Sequence, residues 1–103
     1  MGDLKKILKR FQVTINFRME EESFKLLPAH RDYINQLIEK NIIEYYTVSL
    51  ETKRAWIIIN ANDKMEVEDY LSKSPFFKSW KFEIDELFLF DGQTYRLPAL
   101  QLN

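Results

Sequence analysis

From residue 11 the chain alternates apolar and polar positions. Phe11, Val13, Ile15, Phe17 and Met19 fall on one face and Gln12, Thr14, Asn16 and Arg18 on the other, the pattern of a half-buried strand. Its four polar side chains either meet bulk water or line a wet cavity. After an acidic loop, residues 20–23, the spacing becomes helical from about Pro28 to Lys40, with Leu27, Ile34, Leu37, Ile38 and Ile42 at intervals of three, four and seven. Pro28 suits the first turn, where its missing amide hydrogen is not needed. Lys40 and Asn41 suit the last, where a cation faces the carbonyl pole and asparagine tolerates left-handed backbone.

Residues 42–50 and 55–60 are rich in β-branched and aromatic side chains, and the short polar link Glu51, Thr52, Lys53 predicts an antiparallel hairpin although no glycine marks the turn. The second of these strands is apolar on both faces, Ile57 and Ile59 against Trp56 and Ile58, which predicts a place inside the sheet. Asn62 or Asp63 then caps a second helix, with Glu66 at capping-box spacing from Asp63 and Val67, Tyr70 and Leu71 inward. Pro75 forces Ser74 out of the α region and ends that helix. The stretch 74–90, SPFFKSWKFEIDELFLF, follows as a tight aromatic turn and a last strand. Trp80, Phe82, Ile84, Phe88 and Phe90 share one face of this strand. Lys81, Glu83 and Asp85 occupy the other, which becomes apolar at Leu87 and Leu89. That predicts a strand end covered on both faces, by a partner subunit or by the tail from Asp91 folding back.

Strand, helix, strand, strand, helix, strand is the order of two split βαβ units. It predicts an α+β, ferredoxin-like βαββαβ fold: a four-stranded antiparallel sheet, both helices on one face and the other face open. Residues 1–103 form a single domain, with an N-terminal extension at 1–10 and a C-terminal arm at 91–103. Pairing of two open sheets gives a homodimer or larger ring.

Composition narrows the function. Fifteen Lys and Arg against sixteen Asp and Glu leave a net charge of −1, so no global field draws nucleic acid or an anionic membrane. No cysteine is present, which excludes disulfides, thiolate metal sites and cysteine nucleophiles. No apolar run spans a bilayer or forms a signal-peptide core, and a cytoplasmic location is expected. No glycine-rich phosphate loop or metal-ligand cluster is visible, so neither cofactor nor metal is expected. One histidine remains, His30, on or beside the apolar stripe of the first helix. It is either a hydrogen-bonded structural histidine or a general acid or base at the mouth of a sheet cavity, with Arg18 on the adjoining strand as an anion contact. Tyr45, Tyr46 and Trp56 could wall such a cavity or simply pack the core.

Residues 70–90, YLSKSPFFKSWKFEIDELFLF, resemble the end of the muconolactone isomerase family. Residues 27–43, LPAHRDYINQLIEKNII, hold a Pro-Ala-His helix start that is similar to that of the YciI-like proteins. Both resemblances imply a dimeric α+β barrel with a small-molecule cleft on the sheet face. In the YciI-like pattern the helix histidine, here His30, has an acidic companion just before the proline that follows the second helix; Ser72, Lys73 and Ser74 stand there in this chain. The isomerase resemblance implies proton transfer that shifts a double bond in a lactone, without cofactor or metal. The expectation is a protein that binds a small organic acid or lactone and isomerises it, with His30 as acid or base, Arg18 as anion contact, and Asn16 and Trp56 as cavity walls. The alternative is a non-catalytic small-ligand-binding or assembly module.

Overall fold

A computed structural model of the protein describes residues 8–92. Its elements are β1 (Lys9–Asn16), α1 (Leu27–Glu39), β2 (Ile43–Ser49), β3 (Arg54–Ala61), α2 (Lys64–Ser72) and β4 (Lys81–Glu86), with short 3-10 helices at Glu21–Leu26 and Phe77–Ser79. All strand pairs are antiparallel and the sheet order is β2-β3-β1-β4, an α+β arrangement compatible with the ferredoxin-like fold. β3 has a neighbour on each side, as its two apolar faces predict. Phe11, Val13 and Ile15 of β1, Ile57 and Ile59 of β3 and Ile43 of β2 are all at most 2% exposed. They pack with Ile34 and Leu37 of α1 and Val67 and Leu71 of α2 into one core, each large side chain contributing about 1.5–3 kcal/mol by burial.

The opposite sheet face carries the alternate residues. Thr14 lies between Trp56 and Glu83 in register, and Gln12 between Ile58 and Asp85. On β4 this face is charged, Lys81, Glu83 and Asp85, rather than apolar. The chain beyond β4 covers part of it: the Phe90 ring lies 5.9 Å from that of Tyr45, and the Arg10 guanidinium 4.8 Å from the Phe90 ring centre.

Several element ends differ from the sequence expectation. β4 stops at Glu86 instead of running to Phe90: Glu86 pairs with Phe11, and the Leu87 amide makes one more bond, to the Arg10 carbonyl of β1. Phe88 is then fully exposed and Leu89 75% exposed. The first strand ends at Asn16. The Phe17 amide bonds the Lys53 carbonyl at 3.0 Å, and Phe17, Arg18 and Met19 leave the ladder. The acidic loop coils into a 3-10 helix whose start is tied by the Ser23 amide on the Glu20 carbonyl and the Glu20 amide on Ser23 Oγ.

The hairpin without glycine is closed by Lys53 in the left-handed region, φ 58°, with its ammonium bonding the Leu50 carbonyl at 2.7 Å. Asn41, φ 63°, ends α1 as expected. Of the N-terminal extension, residues 1–7 lie outside the described residues, while Lys9 and Arg10 belong to β1; of the C-terminal arm, residues 93–103 lie outside them. Among the described residues no helix is long and apolar enough to cross a membrane.

Asp63 is the N-cap of α2, its Oδ1 accepting the Glu66 amide at 2.9 Å, and Glu66 reaches back to the Asn62 amide at 2.7 Å. Replacing Asp63 by Ala is expected to cost about 1 kcal/mol. Urea unfolding reads this as a lower midpoint at unchanged slope.

Candidate functional site

The core fills the end of the sheet where Phe11, Ile57 and Ile59 meet the helices. Toward the other end the sheet offers only the methyl group of Ala55 between Ile15 and Val48, and the first turns of α1 stand over that gap. The result is a cavity of about 310 Å³ between the helix layer and the sheet. An apolar cavity of about 150 Å³ holds one benzene, so this one has the size for a substituted or fused ring. Tyr46, Val48 and Ala55 form its floor and Leu27 and His30 its roof, while Phe76 and Trp80 close one side. The mouth is apolar and open: Phe24, Val48 and Leu50 are each between 47% and 62% exposed. Two exposed cations, Arg18 and Arg31, also border it.

His30 is the polar point of this surface. It is 2% exposed and its ring is held at both nitrogens, Nδ1 2.9 Å from Ser74 Oγ and Nε2 2.8 Å from the Tyr46 hydroxyl. Ser74 Oγ also accepts the Phe76 amide at 3.1 Å. Phe76 packs against the imidazole at 5.0 Å between ring centres, and Trp80 meets it edge-on at 5.8 Å. Burial in this apolar setting pulls the His30 pKa down to about 4, assisted by the neighbouring Arg31 charge. Burial likewise pushes the Tyr46 phenol up, against the opposing pull of Arg31. Both groups are therefore neutral near pH 7. Ser74 bonds the ring at Nδ1 without supplying the negative charge that would favour imidazolium.

His30 and Arg18 thus border one cavity, but on the helix side of the sheet. Asn16 and Trp56 lie on the other sheet face: Asn16 follows Ile15 and pairs with Arg54 and Lys81, and Trp56 lies between Thr14 and Thr47. Alternation along β3 points Ala55, not Trp56, at His30. Arg18 reaches the mouth because β1 has already ended, and its exposed pair with Glu20, 4.0 Å apart, is too open to hold it fast. Tyr46 fulfils its candidacy as a cavity wall.

Ser74, Arg31 and Phe76 were not singled out by the sequence. The one signal available was that Ser72, Lys73 and Ser74 stand where the YciI-like resemblance places a companion for the histidine. Among the described residues, no three His, Cys, Asp or Glu side chains gather as a metal set. No protein-family model and no curated protein sequence matches the chain.

Proposed function

We propose that the protein binds a small, largely apolar organic acid or lactone in the cavity between α1 and the sheet. One observation carries this reading: a cavity of about 310 Å³ with aromatic and aliphatic walls contains a buried hydrogen-bonding pair, His30 and Tyr46, and opens beside two arginines. Small-molecule sites are concave and mostly apolar, with a few placed polar groups that orient the ligand. A ring enters the apolar part, an oxygen substituent meets the Tyr46 hydroxyl, and a carboxylate stays at the mouth near Arg18 and Arg31.

The reading is one of binding. A second, isomerisation of a bound lactone by proton transfer, is favoured by a specific observation: the histidine and phenol that could pass a proton are hydrogen-bonded at the cavity wall. Against its efficiency stands a histidine pKa of about 4, which makes a weak base. Pairing of two open sheets into a barrel belongs to the same proposal, supported by the partly exposed aromatic side chains Trp56 and Tyr45 on the face away from the helices.

Thermal unfolding against cinnamate, 1-naphthoate, coumarin and a small aliphatic lactone tests the binding reading. A ligand at about 100 times its dissociation constant adds about 2.7 kcal/mol, a shift of roughly ten degrees for a domain of this size. A shift from one chemical class is the expected result. No shift from any compound at millimolar concentration overturns it.

A further inference from the structure

Four groups form a continuous chain from the backbone to the cavity: the Phe76 amide, Ser74 Oγ, the His30 ring and the Tyr46 hydroxyl, at 3.1, 2.9 and 2.8 Å. Each hydroxyl has one proton to place, and the neutral ring has one on either nitrogen, so the chain has two internally consistent arrangements. In the first, Nδ1–H donates to Ser74 and Tyr46 donates to Nε2. Ser74 Oγ then accepts twice, from the Phe76 amide and from the ring, and its own proton has no acceptor among the described residues although the residue is 5% exposed. In the second, Ser74 donates to Nδ1, Nε2–H donates to Tyr46, and the unplaced proton is that of Tyr46. Tyr46 lines the cavity, where water or a ligand can meet it. A buried donor without a partner is the costlier error, which selects the second arrangement.

We propose that Ser74 fixes His30 as the Nε2–H tautomer, and that this turns the Tyr46 hydroxyl into a hydrogen-bond donor aimed into the cavity, so the site selects ligands with a carbonyl-type acceptor on their buried part. The Tyr46 oxygen is already occupied by the ring N–H, so a ligand hydroxyl or amine donor gains less there than a ketone, ester or lactone oxygen. Tyr46 touches the ligand. His30 and Ser74 are positioning residues that act through it. The phenol proton is set by a backbone amide two residues beyond the serine, and that amide is fixed by the turn after Pro75. The class of ligand follows: a mono- or bicyclic compound with its carbonyl inside and any carboxylate outside.

The choice of ligand rests on the cavity reading of the preceding section; the tautomer does not, and the experiment has an arm for each. Nitrogen-15 NMR of the histidine ring in the unliganded protein at pH 7 distinguishes a protonated from an unprotonated ring nitrogen directly, and the chain has a single histidine. A protonated Nε2 and bare Nδ1 are expected; the reverse overturns the proposal whatever binds. NMR titration then compares 1-indanone with indane, the same ring system with and without the carbonyl. Indanone is expected to bind roughly three- to tenfold more tightly, and the preference is expected to fall to parity in Tyr46→Phe.

Equal affinity in the wild type, or a preference that survives Tyr46→Phe, overturns the donor assignment. Binding of neither probe overturns the cavity reading and leaves the tautomer to the nitrogen spectrum. Should Tyr46→Phe not fold, 2-indanol against 1-indanone in the wild type replaces it: an equal or greater affinity for the alcohol counts against the proposal, and a lower one supports it.

Discussion

Between pH 6.5 and pH 4 the wild-type protein is expected to lose about 3 kcal/mol of stability that a His30→Gln variant keeps. The sign follows from the direction of the shift. The folded state holds the His30 pKa near 4 and the unfolded chain near 6.5, so in that window the unfolded state takes up a proton that the folded state refuses. Proton uptake by the unfolded state favours unfolding as pH falls. The contribution is fully present above the unfolded value, about 2 kcal/mol of it is gone by pH 5, and the loss is complete just below pH 4.

Glutamine retains hydrogen-bonding capacity at the site and does not titrate, so whatever it costs at neutral pH is a constant offset. Carboxylates elsewhere titrate in both proteins and cancel in the difference. Urea unfolding of both at pH 7, 6, 5 and 4.5 gives the difference curve; a flat one would show that burial does not govern this ring. The absence of a carboxylate matters here. With Ser74→Asp beside Nδ1 the folded state would favour imidazolium, and the dependence would weaken or reverse.

That buried histidine shows how far the sequence could be read. The strands and helices were legible because their periods are clean: Phe11, Val13 and Ile15 alternate into the core, and Ile34 and Leu37 face it from α1. Asn41 announced the end of α1, and Asp63 the start of α2. Ends set by pairing were not legible. Leu87, Phe88 and Leu89 continue an excellent strand pattern, yet the strand closes at Glu86 with the Leu87 amide still bonded to the Arg10 carbonyl, and Phe88 and Leu89 stand exposed.

The site was legible in part for a related reason. His30 and Arg18 were singled out by chemistry and do share a cavity, whereas Asn16 and Trp56 were assigned to it on the assumption that the cavity lay on the open face. Strand alternation would have put Ala55 with Tyr46 once the hairpin register was known. The bulge in β2 between Ile43 and Tyr45 hides that register, because an extra residue switches which of Tyr45 and Tyr46 faces inward. Ser74 stood out only as one of three residues before Pro75, because its contact with His30 spans 44 positions in the chain.

Ala55→Leu is expected to raise stability by up to about 2 kcal/mol and to abolish ligand-induced thermal shifts. Ala55 is 5% exposed, faces the helices and lies between Ile15 and Val48 in register, so a longer side chain there can only enter the space under His30. Each buried methylene is worth about 0.8 kcal/mol where room exists. Where the packing is already complete, the same insertion costs about 1–3 kcal/mol. The sign of the change therefore tests whether the hollow is real, independently of any ligand.

The same isobutyl group occupies the floor on which a ring would lie, so cinnamate or coumarin should lose at least tenfold in affinity. Calorimetric unfolding with and without ligand reads both effects on one sample. A stabilised variant that no longer responds to ligand fits a hollow that is the binding site. If the variant is destabilised yet responds as the wild type does, the cavity floor is packed and the ligand lies elsewhere. A stabilised variant with an unchanged response would place the hollow and the binding site apart, and the function would have to be sought on the open sheet face around Thr14 and Trp56.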